Sequence, residues 1–312
     1  MLSKHYVSEE KLFQAAKMVF TEFATREVPD ADILRQIPNV LKGSDVQILS
    51  GSTRGDSYKK WPLADIRKME SILAEGVTLS VLRAKSPFVL GEIVPSARYI
   101  LDTLFPRDPL LCCGLETKKV VTHPRSVWGY PGYLQFIVPS PMSKAFGLNK
   151  AGKQSHRCLD NTGPRRFLVV EFDFKADVEA CESSIATRQT LSRPSAEQLN
   201  ALEKAKFVRS CLERGLLVQD ICAALIDHLS KFVKPALVVH SGGKSLHAWF
   251  YCGGVDEALL REFMEYAVSL GADPATWKPC QLVRMPGGTR YSNTMDTVPQ
   301  TVCYFDPEVI EA

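Results

Sequence analysis

The stretch that decides the fold is "VVEFDFK", Val169 to Lys175, with Phe167 and Leu168 before it. Its β-branched and aromatic residues predict a strand. Successive strand residues point to opposite faces, so Glu171 and Asp173 share one face and the apolar residues beside them share the other. Two like charges on one face are destabilising unless a positive group joins them. The stretch therefore predicts a bound cation or a cationic side chain next to this strand.

Two helices are predicted after this strand. Ser195 and Gln198 have the spacing of a capping box, in which each side chain bonds to the other residue's backbone N–H at the start of a helix. The apolar residues from Leu217 to Phe232 recur with the helical period and predict the second helix.

Two further strands are predicted in "PALVVH" and "SLHAWFYC", joined as a hairpin through "SGGK", because Gly-Gly supplies the positive φ of a tight turn. A helix over about 256 to 270 and a final strand "QLVRM", 281 to 285, complete a β-α-β-β-α-β order. This is the order of ferredoxin-like and RNA-recognition folds, where the first and third strands are central neighbours. Ser245 and His247 share a face, so a histidine is expected beside the two carboxylates.

Three motifs of this sequence resemble those of the archaeo-eukaryotic primase superfamily, the primase-polymerases. They are "EFD" (Glu171 and Asp173), "SLH" (Ser245 and His247), and "GADPATWKPCQLVRM" with Asp273 and then Arg284. The resemblance covers about 166 to 290 and extends from about 100. The first motif often begins with Asp where this chain has Glu171, and Asp256 and Glu257 are alternatives for the third acid. The zinc cluster of cellular primases is missing, as in primase-polymerases of phages, plasmids and other mobile elements.

The resemblance implies a two-metal site for Mg²⁺ or Mn²⁺, without zinc. Glu171, Asp173 and Asp273 would hold the metals, which stabilise negative charge on the attacking and leaving oxygens of nucleotidyl transfer. His247 would contact the phosphates of the incoming nucleotide, supported by Ser245 and Lys244 in the "SGGK" turn. Arg284 would bind phosphate or template through its planar fork of donors.

A basic loop precedes the acidic strand. Between Ser140 and Arg166 there are six cations against one acid, Asp160; they are Lys144, Lys150, Lys153, Arg157, Arg165 and Arg166. Such a run is either a solvated surface or, given the resemblance, a track for the template backbone. Four aromatic residues upstream either stack on bases or pack within the fold; they are Trp128, Tyr130, Tyr133 and Phe136.

The composition is that of an ordinary globular protein, with 45% hydrophobic and 23% charged residues among 312. A net charge of +3 does not by itself indicate nucleic-acid binding. Nine scattered cysteines without a C-x2-C pair argue against a zinc ribbon or a disulfide framework and predict a cytoplasmic location. The sequence shows neither a transmembrane run nor a signal peptide, so no membrane association is expected.

The chain is predicted to be α+β in two regions. Residues 1 to 100 form a mostly helical region that opens with a helix at 8 to 25, and residues 101 to 312 form the catalytic domain. In that domain, strands such as "LLCCGL" and "YLQFIVPSP" form an α/β unit before the sheet of about 166 to 290.

The expected function is that of a metal-dependent DNA primase-polymerase, which joins deoxy- or ribonucleoside triphosphates on single-stranded DNA during replication of a phage or mobile element. No helicase motif is present, so a separate or fused helicase is an expected partner. Three alternatives stay open: a replication-initiator or origin-binding module, an end-joining repair polymerase, and a phosphodiester nuclease. A phosphate-binding P-loop is disfavoured, because Val238 stands where that motif needs glycine and "SLHAWFYC" predicts a strand where it needs a helix.

Overall fold

The computed structural model describes residues 60–88, 95–174, 177, 195–291 and 296–311. The helix expected at 8 to 25 lies outside these residues. The described residues between 60 and 105 contain three helices, and the strands predicted in "LLCCGL" and "YLQFIVPSP" are confirmed.

The described chain is mixed α and β, with antiparallel sheets. Its helices are α1 Ile66–Glu75, α2 Leu79–Ala84, α3 Ala97–Leu104, α4 Ala196–Glu213, α5 Val218–Ser230, α6 Glu257–Ser269 and α7 Glu308–Glu311. Its longer strands are β1 Leu110–Glu116, β2 Lys119–Pro124, β6 Phe167–Phe172, β7 Leu237–His240, β8 Leu246–Tyr251 and β12 Val302–Phe305. Its short strands are β3 Phe136–Ile137, β4 Gly147–Leu148, β5 Gln154–Ser155, β9 Val283–Arg284, β10 Thr289–Tyr291 and β11 Thr297–Pro299.

Local signals placed the elements around the acidic strand correctly. The helix α4 begins after Ser195, whose side chain accepts from the backbone N–H of Gln198, while the Gln198 side chain accepts from the Ser195 N–H. The predicted hairpin is β7 and β8, paired from Leu237 opposite Trp249 to His240 opposite Leu246. No helix in the described part of the chain is both long and apolar enough to cross a membrane.

The central sheet has the strand order β12-β7-β8-β6, and every pair in it is antiparallel. The predicted neighbourhood of β6 and β8 is confirmed, with Glu171 directly opposite His247. Backbone pairing alone therefore brings the carboxylate motif and the histidine motif together.

The predicted β-α-β-β-α-β sheet is wrong in its last strand. The "QLVRM" segment forms β9, which pairs with β3 in a separate sheet of order β2-β1-β3-β9, and β12 is the fourth strand of the central sheet instead. The physical reason lies in burial on both sides of β9. Val283 and Met285 pack with the core between the sheets, while Leu282 packs with Cys112 and Val138.

The central sheet separates two apolar layers. On one face Leu168, Val170 and Phe172 pack with residues of α1, α2, α4, α5 and α6. On the other face Phe167 and Trp249 pack with α3 and the β2-β1-β3-β9 sheet. Helices upstream of residue 100 thus share a core with the region downstream. Glu171, near the end of β6, lies on the face of the strand whose residues Phe167 and Val169 belong to the second layer.

Candidate functional site

The centre of the site is a set of three side chains placed by the pairing of β6 with β8. Glu171 Oε1 lies 3.3 Å from His247 Nε2. Ser245 Oγ lies 3.4 Å from the same nitrogen. Ser245 directly precedes β8 and lies two residues before His247, and both side chains are next to Glu171, as the alternation of the sequence predicts.

Asp273 reaches this centre through a backbone contact. Its N–H donates to the carbonyl of Glu171 at 2.8 Å. Its carboxylate accepts from the Ala275 N–H at 2.9 Å and so caps the 3-10 turn Pro274–Trp277. The two alternative third acids are engaged elsewhere, because Asp256 caps α6 and Glu257 pairs with Arg165.

Three carboxylates act on one another at this point. Burial, and then the negative charges of Asp273 and Asp173, raise the pKa of Glu171 to about 7. Arg284 and a hydrogen bond from Ser245 act in the opposite direction. Burial is thus the main reason why Glu171 resists ionisation, and the two neighbouring carboxylates add to it.

Arg284 is the cationic side chain that the acidic strand requires. It comes from β9 in the neighbouring sheet, and the charges of Glu171 and Asp173 favour its charged form. Its guanidinium lies 4.8 Å from the ring centre of Phe136 and donates to Gln135 Oε1 at 3.1 Å. Burial lowers the pKa of Arg284, yet an arginine stays protonated in proteins, so its charge persists at the site.

His247 is a neutral imidazole in this setting. Burial, followed by the charges of Arg284 and His240, lowers the pKa of His247 to about 3. The 3.3 Å distance from Glu171 Oε1 to His247 Nε2 would suit an ion pair, but burial disfavours the charged form of both groups, so the two side chains are in contact without forming an ion pair. The second ring nitrogen, Nδ1, is buried and has no hydrogen-bond partner among the described residues.

A further cation, Arg290 of β10, lies against the hairpin turn before β8, and the sequence did not indicate it as a site residue. Gly242 has a positive φ of 72°, and a Cβ on Gly243 would collide with the guanidinium of Arg290. Arg290 thus lies directly against the turn, and its charge also acts on Arg284. Lys244, predicted to bind phosphate, is exposed at the end of the same turn. The one available signal in the sequence was the position of Arg290 shortly after Gly287-Gly288, a pair typical of a turn.

Two arginines of the predicted template track are used within the fold. Arg165 is 5% exposed in its side chain, pairs with Glu257 at 2.9 Å and donates to the Trp277 carbonyl at 2.9 Å. Arg166 donates to the Leu104 carbonyl at 2.6 Å. Both contacts fix neighbouring elements, so they give these arginines a structural role that the sequence did not reveal.

The other four residues of the track are a half-buried arginine and three exposed lysines. Arg157 is half-buried and donates to the Cys280 carbonyl at 3.1 Å. Lys144 pairs with Asp160 at 3.1 Å at an exposed position. Lys150 and Lys153 are exposed between β4 and β5. The exposed lysines are the members of the track whose charge can reach a nucleic-acid backbone.

The carboxylates fit a divalent cation by chemistry and by charge. Glu171, Asp173 and Asp273 supply the hard oxygen ligands that Mg²⁺ and Mn²⁺ prefer, and a cation would offset the charges of Asp273 and Asp173 that act on Glu171. Among the residues that the structure describes, no three His, Cys, Asp or Glu side chains already surround a common metal position. The carboxylates would therefore turn toward a cation on binding it.

Comparison of the chain with protein-family models, with curated proteins and with solved structures finds no match. The geometry of the site is therefore the basis for assigning a function.

Proposed function

We propose that this protein is a metal-dependent DNA primase-polymerase that joins nucleotides on a single-stranded DNA template. The observation that carries the proposal is the proximity of Glu171 to His247 and to the charges of Asp173 and Asp273, with Arg284 facing them from the neighbouring sheet. Five side chains predicted from three separate motifs thus lie around the end of β6. The order β7-β8-β6 also agrees with the strand neighbours of the primase-polymerase core that the motifs resemble.

The site divides into an acidic and a basic side, as nucleotidyl transfer requires. On the acidic side Glu171, Asp173 and Asp273 would hold Mg²⁺ or Mn²⁺, and such cations stabilise charge on the attacking and leaving oxygens. On the basic side Arg284 and Arg290 present planar forks of donors that suit phosphate oxygens. His247 lies between the two sides and, being neutral, orients a polar group without adding charge.

A primase-polymerase needs an unpaired template. The protein would therefore act with a helicase, either a separate protein or one fused to this chain, in replication of a phage, plasmid or other mobile element. Its substrates would be deoxy- or ribonucleoside triphosphates, and its place of action the cytoplasm.

The deciding experiment is extension of a primer on single-stranded DNA with labelled nucleotides and Mg²⁺ or Mn²⁺, repeated without the primer. We expect product from the wild-type protein and about a hundredfold less from Asp173→Ala, since metal contacts are worth several kcal/mol of transition-state stabilisation. The matched control is Glu203→Ala, which removes an exposed carboxylate on α4, a helix of the layer on the other face of the central sheet. It should leave the rate unchanged.

One observation favours a second candidate, a replication-initiator or origin-binding module without catalysis. Glu171 accepts a hydrogen bond from Ser245 and Asp273 caps a turn, so two of the three proposed ligands already have partners. Tight binding of single-stranded DNA with no product under any metal or nucleotide would support this candidate and contradict the polymerase. Metal-dependent shortening of the labelled strand would instead identify a nuclease.

A further inference from the structure

Three tyrosines are exposed on β10 and on the segment of residues 130 to 135 that contacts it. Tyr130 is 85% exposed, Tyr133 47% and Tyr291 42%, and together we call them the tyrosine surface. The sequence left open whether the aromatic residues near 130 pack or bind. Trp128 is buried in the core, whereas Tyr130 is almost fully open to solvent, so packing does not account for its ring.

The tyrosine surface is held by hydrogen bonds to the backbone. Tyr291 Oη donates to the Tyr133 carbonyl at 2.8 Å, and the Tyr291 N–H donates to Gln135 Oε1 at 3.2 Å. The Thr289 N–H donates to the Leu134 carbonyl at 3.0 Å. The strand β10 is thereby fixed against residues 130 to 135, and two of the rings are presented from a defined backbone.

One amide oxygen joins this surface to the acidic site. Gln135 Oε1 accepts from both the Tyr291 N–H and Arg284 Nη1, the latter at 3.1 Å. Arg284 in turn faces Glu171 and Asp173. Arg290 precedes Tyr291 on β10 and so points to the opposite side of the strand, against the hairpin turn. Positive charge therefore lies between the tyrosines and the carboxylates.

We propose that the tyrosine surface stacks the unpaired bases of the single-stranded DNA that the site acts on. The proposal rests on the proposed function, because it names where the template of that reaction lies. Every base presents a π-face, so aromatic rings bind a strand without selecting its sequence, while neighbouring arginines bind its phosphates. A protein partner would more often cover a contiguous apolar patch, whereas these rings adjoin cations and an acidic centre.

The test is binding of fluorescein-labelled oligothymidine of about 20 nucleotides, measured by fluorescence anisotropy without metal or nucleotide. A strand of the same length with abasic residues retains the phosphates and lacks the bases. We expect Tyr130→Ala and Tyr291→Ala each to raise the Kd for oligothymidine by roughly five- to a hundredfold, the usual loss on removing one stacking ring. The Kd for the abasic strand should stay unchanged.

Two controls separate stacking from loss of structure. Tyr130→Phe retains the ring and should bind like the wild type, and Leu199→Ala removes an exposed apolar side chain on the distant helix α4. Unchanged affinity in both alanine variants, or an equal loss on both strands, would overturn the proposal. So would a wild-type protein that does not bind the strand, which would assign the surface to another partner.

The two proposals can fail separately. Loss of base-dependent binding in the tyrosine variants, with no nucleotide joined by the wild type, would leave the stacking surface and reject the polymerase. Nucleotide transfer that is insensitive to Tyr130→Ala and Tyr291→Ala would do the reverse.

Discussion

Glu171 shows how a single residue can be both costly and useful. It continues a strand whose neighbours on both sides are buried and apolar, and two other carboxylates act on it. Arg284 and Ser245 offset part of that cost. The charged form of a carboxylate is unfavourable in such surroundings, and a bound cation would lower its free energy. Groups with pKa values perturbed in this way are common at functional sites.

The pH dependence of stability should report this cost in the metal-free protein. The pKa of Glu171 is raised from 4.5 to about 7 on folding. Its contribution to stability is therefore present below pH 4.5 and is lost as the pH rises through about 7. Chemical denaturation in the presence of a chelator measures this dependence. Between pH 5 and pH 8, the free energy of unfolding of Glu171→Gln should rise by on the order of 2–3 kcal/mol relative to that of the wild type.

His247 changes the free energy of unfolding with pH in the opposite direction. The test is therefore the difference in this free energy between Glu171→Gln and the wild type at each pH. The pKa of His247 is lowered from 6.5 to about 3, so its contribution to stability is lost as the pH falls below 6.5. Both proteins contain His247, and its effect largely cancels between them. Parallel stability curves for the wild type and Glu171→Gln would contradict the raised pKa.

At the scale of elements, the basic loop contains both structural and solvent-exposed cations, and the sequence does not distinguish the two. Arg165 connects the loop to α6 through Glu257 and to the turn Pro274–Trp277 through the Trp277 carbonyl, with its guanidinium 4.5 Å from the Trp277 ring centre. That turn begins at Asp273, so Arg165 supports the element that carries one of the acids. Lys150, by contrast, is exposed.

We expect Arg165→Ala and Lys150→Ala to separate structure from binding. Arg165→Ala removes the hydrogen bond to the part-buried Trp277 carbonyl and the contact with the Trp277 ring, so the free energy of unfolding should fall by about 2 kcal/mol. Lys150→Ala should leave stability within about 0.5 kcal/mol and weaken single-stranded DNA binding in a salt-dependent manner. Thermal denaturation and a salt titration of binding measure the two effects. Equal stability of both variants would contradict the structural role of Arg165.

At the scale of the whole molecule, the central sheet is covered on both faces. Phe172 belongs to the layer shared with the helices, and Trp249 belongs to the layer shared with the β2-β1-β3-β9 sheet. Both side chains are fully buried. Because neighbouring strands carry residues of both layers, the two layers should lose their structure together when the sheet opens.

Phe172→Ala and Trp249→Ala should each destabilise the protein by about 3–5 kcal/mol through the cavity that they leave. A single unfolding transition should be retained, since both residues lie in one sheet. Circular dichroism and tryptophan fluorescence of Phe172→Ala, followed during denaturation, should report the same midpoint. Separate midpoints for the two probes would show that the layers unfold independently.

The sequence by itself determined whatever depends on neighbours along the chain. Alternation predicted that Glu171, with Asp173 just beyond β6, would lie opposite His247, with Ser245 just before β8, and the Ser195–Gln198 spacing predicted where a helix begins. These features follow from backbone geometry with periods of two and 3.6 residues, which a sequence displays directly. The meeting of β6 with β8 was also predictable, because a helix and a hairpin between them restrict the possible pairings.

Only the tertiary structure decided which distant surfaces each segment covers. Three contacts depend on burial shared with residues far away in the chain. They are the pairing of β9 with β3, the position of Arg290 against the hairpin turn, and the contact of Arg165 with the Trp277 ring. An apolar strand such as "QLVRM" fits either sheet by its own pattern. The choice is made by the total apolar area removed from water, which is a property of the assembled fold and not of the segment.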